Sequence, residues 1–163
     1  MAIYKYKLTI ESNKNFVREC EIEDDSTLYD LHRYIQNELD FDDAQLAMFF
    51  ISNQKWERIK SIPAFDLGNG SMDSVVISDL VDDGENNLLY VFDMFNNRHL
   101  QIEFMSEVEE TYRTTYPRTV ASKGNPPNQF SENIFATEID NDENDISGFE
   151  NDELDMLSET DDV

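Results

Sequence analysis

Acidic residues are spread unevenly along this chain, and their distribution limits the part of it that can fold. The sequence holds 36 Asp and Glu against 12 Lys and Arg in 163 residues. Residues 131–163 contain 13 of those acids, no basic residue and few apolar ones. Such a segment cannot bury enough apolar surface to offset the entropy lost on ordering. The sequence therefore predicts one folded domain at residues 1–122, a linker rich in Gly, Asn and Pro at 123–130, and a disordered acidic tail at 131–163.

The net charge of −24 disfavours anionic partners. It repels polyphosphate and anionic lipid, so direct nucleic-acid binding and membrane binding are disfavoured. No apolar run reaches the roughly 18 residues of a membrane-spanning helix, and the N-terminus lacks the apolar core of a signal peptide. The single cysteine, Cys20, excludes an internal disulfide and a multi-cysteine zinc site. We therefore expect a cytoplasmic protein with no metal and no cofactor, in which Cys20 is a core residue.

The first part of the domain has the pattern of a β-hairpin followed by a helix. Apolar residues alternate with polar ones, including two lysines, over residues 4–10, and with glutamates over 19–23. The turn residues Ser12–Asn15 lie between these runs. This period of two predicts two half-buried strands whose lysines face glutamates across the hairpin. Thr27 and Asp30 then have the spacing of a helix-capping box.

The predicted helix runs from this box to Leu39. Leucine and isoleucine recur at spacings of three and four from Leu28 onward, which gives the helix one apolar face to pack on the hairpin. His32 lies beside that face. Because no second His, Cys or acid cluster accompanies it at ligand spacing, we expect a residue at the boundary of the core and not a metal ligand.

Four further apolar runs complete the predicted sheet. Residues 46–51 are continuously apolar and predict an interior strand covered on both faces. Residues 75–77 (Val-Val-Ile) predict a short strand in a turn-rich segment at the sheet edge. Residues 88–92 and 100–104 predict a closing hairpin whose turn contains an Asn-Asn pair. The order of elements predicts an α+β fold, with a mixed or antiparallel sheet and a helix on one face, similar to a β-grasp.

Three short motifs connect this order of elements to a known family. They are Tyr90-Val-Phe-Asp93, Tyr116-Pro117 and Pro126-Pro127. With these motifs, residues 3–130 resemble the plasmid pRiA4b ORF-3-like family. The resemblance implies an α+β fold and a bacterial or archaeal origin, often on a mobile element, but no established activity.

The tip of the closing hairpin departs from the pattern of that family, in which the aspartate is usually followed by Phe-Gly-Asp-x-Trp and a histidine. Met94, Phe95, Asn96 and Arg98 stand where the family has the aromatic residue, the glycine, the aspartate and the tryptophan. His99 precedes the family's histidine position by one residue. The resemblance therefore implies a divergent member in which any family site has been altered.

The same hairpin tip supplies most of the candidate binding residues. An acid, two amides, an arginine and a histidine lie there, and the later Tyr-Pro motif adds a tyrosine and an arginine: Asp93, Asn96, Asn97, Arg98, His99, Tyr116 and Arg118. A catalytic site would also need a nucleophile, and the tip has no Ser or Cys. We therefore assign no catalytic residue. A binding loop and a solvated turn whose side chains serve the backbone both stay open.

The acidic tail contains two patterns that are typical of binding segments. Residues 140–144 match the opening of a calcium-binding loop, but Asp145 and Asn151 stand where such a loop needs Gly and Glu, so no metal site is predicted. Further on, Phe149, Leu154 and Leu157 are apolar residues among acids. Segments of this kind can fold onto a basic and apolar groove of a partner. An acidic brush that only increases solubility is the alternative.

Three functions are compatible with these features, and the sequence favours the first. It is a non-enzymatic interaction protein whose acidic tail binds a basic surface of another protein. The second is a small-molecule-binding or enzymatic domain that uses the cleft between the closing hairpin and residues 116–127. The third is a nucleic-acid mimic, which requires ordered carboxylates on the folded domain, whereas most of the excess charge lies in the tail. No oligomeric state is predicted.

Overall fold

The computed structural model describes residues 2–66, 68 and 70–130. Within these residues, seven strands form one sheet: β1 (Ile3–Ile10), β2 (Asn13–Glu23), β3 (Met48–Ser52), β4 (Arg58–Pro63), β5 (Asn87–Asp93), β6 (Arg98–Val108) and β7 (Arg118–Lys123). Two helices and one turn of 3-10 helix accompany them: α1 (Leu28–Leu39), α2 (Ile77–Asp82) and Met72–Ser74. The acidic tail lies outside the described residues.

The strand order is β4-β3-β5-β6-β1-β2-β7, and every described pair is antiparallel. This confirms the α+β fold class, while the likeness to a β-grasp stays a prediction. In the first hairpin Lys5 lies opposite Glu21 and Lys7 lies opposite Glu19, as the alternation predicted. The closing hairpin is also confirmed, and Asn97 in its turn takes a positive φ of 54°.

The α1 helix begins at the predicted capping box. The Thr27 side chain accepts a hydrogen bond from the Asp30 backbone amide, and the Asp30 carboxylate accepts one from the Thr27 amide. The helix ends where Asp40 takes the left-handed conformation. Its apolar stripe is buried in the same core as Ile77 and Leu80 of α2. Both helices therefore cover one face of the sheet.

The prediction of a strand at residues 75–77 is wrong. Val76 makes an isolated bridge to Thr27, and Ile77 is the first residue of α2. Three consecutive β-branched residues favour a strand locally. Burial of Ile77 and Leu80, which are three residues apart, favours a helix at this position and overrides that preference.

β3 is an interior strand, but it is not covered on both faces, which corrects the prediction. Phe49 and Ile51 belong to the core, whereas Met48 and Phe50 are half-buried on the opposite face. Both helices lie on the core side of the sheet. On the opposite face, the guanidinium of Arg58 lies over the Phe50 ring, 4.3 Å from its centre.

His32 lies inside the core and not at its boundary, which also corrects the prediction. It is 7% exposed, and its Nδ1 lies 2.8 Å from the Tyr90 hydroxyl of β5. Burial lowers the pKa of the imidazole, and the nearby charge of Arg33 lowers it further. His32 is therefore a neutral, hydrogen-bonded core residue at neutral pH.

A charged residue, Arg18 of β2, is also buried in the domain and is only 4% exposed. Its Nε donates to Glu38 of α1 at 2.9 Å. Its terminal nitrogens donate to the backbone carbonyls of Val17, Lys123 and Gly124 at distances between 2.8 and 3.0 Å. Arg18 thereby joins β2 to α1 and to the end of β7.

The residue after β7 must be a glycine. Gly124 has a φ of +80°, and a Cβ at this position would lie 2.3 Å from the backbone oxygen of Asn15. A side chain would push β7 away from the first hairpin. Gly124 therefore allows the close approach that brings its carbonyl to Arg18.

We expect Arg18→Met to destabilise the protein by about 3 kcal/mol, because it leaves Glu38 without its opposite charge and the bonded carbonyls without their donor. Urea denaturation followed by circular dichroism measures the difference. Lys5→Met is the matched control, since the Lys5–Glu19 pair is partly exposed and contributes less than about 1 kcal/mol. Equal losses in the two variants would contradict the role of Arg18.

Candidate functional site

The hairpin tip predicted as a binding loop is held together by Asp93. Its carboxylate accepts hydrogen bonds from the Asn96 backbone amide at 3.2 Å and the Asn96 side chain at 3.1 Å, and it pairs with Arg98 at 3.3 Å. Burial alone would raise the pKa of Asp93. The hydrogen bonds and the Arg98 charge outweigh this effect and hold the pKa below its usual value. Asp93 is therefore an ionised anchor for the turn.

Arg98 connects this turn to the chain that follows β7. Its guanidinium donates to the backbone carbonyls of Asn128 and Gln129, and it lies 5.0 Å from the centre of the Phe92 ring. The Gln129 side chain accepts from the backbone amide of Asp42 at 2.6 Å and donates to the Asp42 carbonyl at 3.1 Å. The closing hairpin and the loop after α1 thus bind the same short segment.

His99 and Asn97 form further contacts within the tip. The Nδ1 of His99 donates to the backbone carbonyl of Asn97 at 3.2 Å, and the Asn97 side-chain oxygen accepts from Arg58 of β4. Among the described residues, no hydrogen bond joins His99 to Asp93. Within the described residues, His99 and Asp93 therefore do not form a pair of base and orienting partner.

A cleft of about 390 Å³ lies next to this hairpin. Its walls include residues 11–13 of the first hairpin, residues 97–99 of the closing hairpin, and residues 127–128. The volume is suitable for a small ligand. The cleft thus joins the hairpin to Pro127, which is the last residue of the segment 116–127 predicted to lie opposite it.

Tyr116 and Arg118 line a different cleft, which has a volume of about 650 Å³. Arg118 donates to Glu21 of β2 at 2.8 Å, and its guanidinium lies 5.7 Å from the centre of the Tyr116 ring. Arg33 and Glu38 of α1 also line this cleft, and the two clefts have no lining residue in common. The structure therefore brings the five hairpin candidates together and places Tyr116 and Arg118 elsewhere.

Sequence reasoning missed the polar network around Arg18. The Thr119 hydroxyl of β7 donates to Glu38 at 2.8 Å and accepts from the Tyr34 hydroxyl at 2.5 Å. Cys20 is fully buried beside it, and burial raises the pKa of its thiol to about 12, so it is a core residue as predicted. A signal was present in the sequence. Arg18 has the same strand parity as Cys20, and alternation therefore places it on the inward face.

Several predicted features concern metals, membranes or the tail. In the described part of the chain, no group of three or more His, Cys, Asp or Glu side chains could hold a metal ion. Neither described helix has the length and apolar content that crossing a lipid bilayer requires. The motif at residues 140–144 and the docking candidates Phe149, Leu154 and Leu157 lie outside the described residues.

Comparisons with known proteins identify a family and support the fold. A family model described as plasmid pRiA4b ORF-3-like protein matches residues 2–138, in agreement with the resemblance seen in the sequence. The crystal structure of MM3350 from Methanosarcina mazei Go1, a protein of unknown function, is similar with a TM-score of 0.68 and 24% identity. That similarity covers 77% of this chain and 71% of the other, and at this identity it shows the fold alone. No curated protein matches the chain.

We expect Asp93→Asn to destabilise the protein by about 1 kcal/mol at neutral pH, because it weakens the bonds to Asn96 and the pairing with Arg98. Since the pKa of Asp93 is lower in the folded chain than in the unfolded chain, its contribution is present above the ordinary pKa of 3.8 and is lost as the pH falls below that value. Thermal unfolding at about pH 7 and about pH 3 measures both effects. Asp43→Asn, at an exposed position, is the control, and an equal effect of the two substitutions at neutral pH would exclude the anchoring role.

Proposed function

This chain belongs to the plasmid pRiA4b ORF-3-like protein family, and we propose that it is a non-enzymatic interaction protein whose acidic surface binds a basic surface of another protein. The acidic tail is part of that surface. Attraction between opposite charges brings the two proteins together, and apolar contacts then hold them. We place this interaction in the cytoplasm of a bacterial cell.

The observation that carries this proposal is that ion pairs inside the domain occupy a third of its basic charge. Four such pairs lie within the described residues: Lys5–Glu19, Arg18–Glu38, Arg98–Asp93 and Arg118–Glu21. Each pair removes one base and one acid, whereas residues 1–130 contain 23 acids and 12 bases. The remaining surface therefore carries an excess of carboxylates, which attracts cationic partners and repels polyanions.

Two of the paired arginines are also bound to the backbone. Arg18 donates to three carbonyls in addition to Glu38, and Arg98 donates to two in addition to Asp93. The fold engages most of the N–H donors of these two guanidinium groups, which leaves few of them for an anionic ligand. This arrangement supports a basic partner over a phosphate-bearing substrate.

The tail extends the acidic surface. It contains 13 of the 36 acids, with Phe149, Leu154 and Leu157 among them. We propose that charge attraction steers the partner toward the tail and that these three side chains then dock on it. A tail that acts through its charge alone would not need these three apolar side chains.

Full-length protein used as bait in lysate of the source organism should retain a basic protein at low salt and release it at moderate salt, because ions screen the attraction. The variant Phe149→Ser/Leu154→Ser/Leu157→Ser keeps every charge, and we expect it to retain much less of that protein. Mass spectrometry quantifies the retained partner. Retention that does not respond to salt would contradict attraction by charge, and equal retention by the variant would exclude docking by the tail.

A second function, small-molecule binding or catalysis, is supported by the cleft beside the hairpin. His99 is the suitable residue for testing it, because its hydrogen bond runs to a neighbouring backbone carbonyl, whereas Asp93 anchors the turn. We expect His99→Ala to abolish binding of any cleft ligand found in a thermal-shift screen and to leave the melting temperature of the free protein unchanged. Ligand binding that survives this substitution would exclude the cleft.

A further inference from the structure

Three loops leave the sheet at the same end. Met48 of β3 lies opposite both Val91 of β5 and Pro63 of β4, in antiparallel registers. The residues before β3, after β4 and after β5 therefore continue past one end of the sheet. These loops comprise residues 40–47, 64–66 and 94–97.

Each of these loops exposes large apolar side chains. Leu46, Phe65, Met94 and Phe95 are between 49% and 86% exposed, and we call these four residues the apolar rim. Single exposed apolar residues are common on protein surfaces and need no explanation. Four of them at one end of a highly charged protein indicate an interaction surface.

The loop at residues 40–47 is tied to the closing hairpin, which carries the loop at residues 94–97. The rings of Phe41 and Phe92 pack together with their centres 5.0 Å apart. Gln129 bonds the backbone of Asp42 through its side chain and accepts from Arg98 through its carbonyl. A preorganised surface loses less conformational entropy on binding, so its apolar side chains contribute more to affinity.

The loops that carry the apolar rim are also acidic. They contain four exposed aspartates, Asp40, Asp42, Asp43 and Asp66, and no Lys or Arg. An apolar surface bordered by carboxylates is complementary to apolar side chains flanked by Lys or Arg. A second copy of this chain, which has a net charge of −24, would bring two acidic borders together and is disfavoured as the occupant.

We propose that the apolar rim docks a basic amphipathic segment of a partner protein. Apolar side chains of that segment pack on Leu46 and Phe95, and its Lys and Arg side chains lie near the loop aspartates. The inference rests on the proposed function and gives the domain a contact surface of its own, separate from the tail. An amphipathic helix with lysines beside its apolar face has the required chemistry.

Synthetic peptides test this proposal with full-length protein. The probe is a fluorescent Leu-Lys peptide of about 18 residues, patterned as an amphipathic helix. One control peptide has the same composition in scrambled order, and the other is oligolysine of equal charge. Fluorescence anisotropy measures the affinities. We expect the amphipathic peptide to bind at least about tenfold more tightly than the scrambled peptide, because only its apolar face matches the rim.

Two double variants locate the contact. Leu46→Ser/Phe95→Ser should remove the advantage of the amphipathic peptide. Ile59→Ser/Tyr112→Ser replaces two comparably exposed apolar side chains outside the three loops and should change the affinity by less than about twofold. Both variants should keep the melting temperature of the wild type, since the replaced side chains are exposed.

Each contrary result has a distinct meaning. Equal binding of the amphipathic and scrambled peptides, or equal losses in the two variants, would overturn docking on the apolar rim. If docking on the rim fails in this way but oligolysine binds the wild type and both variants equally, attraction by charge still stands. If none of the three peptides binds, the proposed function is overturned as well. Analytical ultracentrifugation tests the remaining occupant. If the wild type self-associates and Leu46→Ser/Phe95→Ser does not, the rim binds a second copy of this chain, and the proposal is overturned.

Discussion

Arg18 carries a positive charge into the interior, where one carboxylate and three backbone carbonyls accept its hydrogen bonds. An unpaired guanidinium in this position would be strongly unfavourable, so Glu38 and the carbonyls must meet it in fixed positions. Those positions require β2, α1 and the end of β7 to be in place together. One side chain thus couples the helix to an edge strand that, among the described strands, pairs with β2 alone.

This coupling reaches the candidate site through the backbone that follows β7. Gly124 packs against Asn15, and the chain continues to Gln129, which is bound by Arg98 and Asp42. Arg18 therefore anchors one end of this segment, and the other end links the hairpin tip to the loop after α1. It also forms one wall of the cleft beside the hairpin. The edge of the sheet, the cleft, and the link between the hairpin tip and the loop after α1 depend on the same short stretch of chain.

Short-range signals in the sequence predicted the elements whose structure depends on near neighbours. The capping box of α1 and the facing lysines and glutamates of the first hairpin are confirmed, because both depend on contacts within a few residues or across one turn. The prediction was wrong at residues 75–77, where burial overrides β propensity, and at His32, whose partner Tyr90 is 58 residues away. The separation of Tyr116 and Arg118 from the hairpin tip also depends on long-range contacts, which no local pattern encodes. The position of β7 likewise depends on Arg18, 100 or more residues earlier in the chain.

The link that Gln129 makes between the hairpin tip and the loop after α1 requires the segment after β7 to stay on the domain. Hydrogen–deuterium exchange of Arg18→Met, read by mass spectrometry, measures directly whether Arg18 holds it there. Exchange should accelerate by at least about tenfold more in peptides from residues 118–129 than in peptides from β3 and β4, because an edge strand can open without the opposite edge. Acceleration that is uniform across the sheet, or wild-type protection of residues 118–129, would contradict this dependence on Arg18.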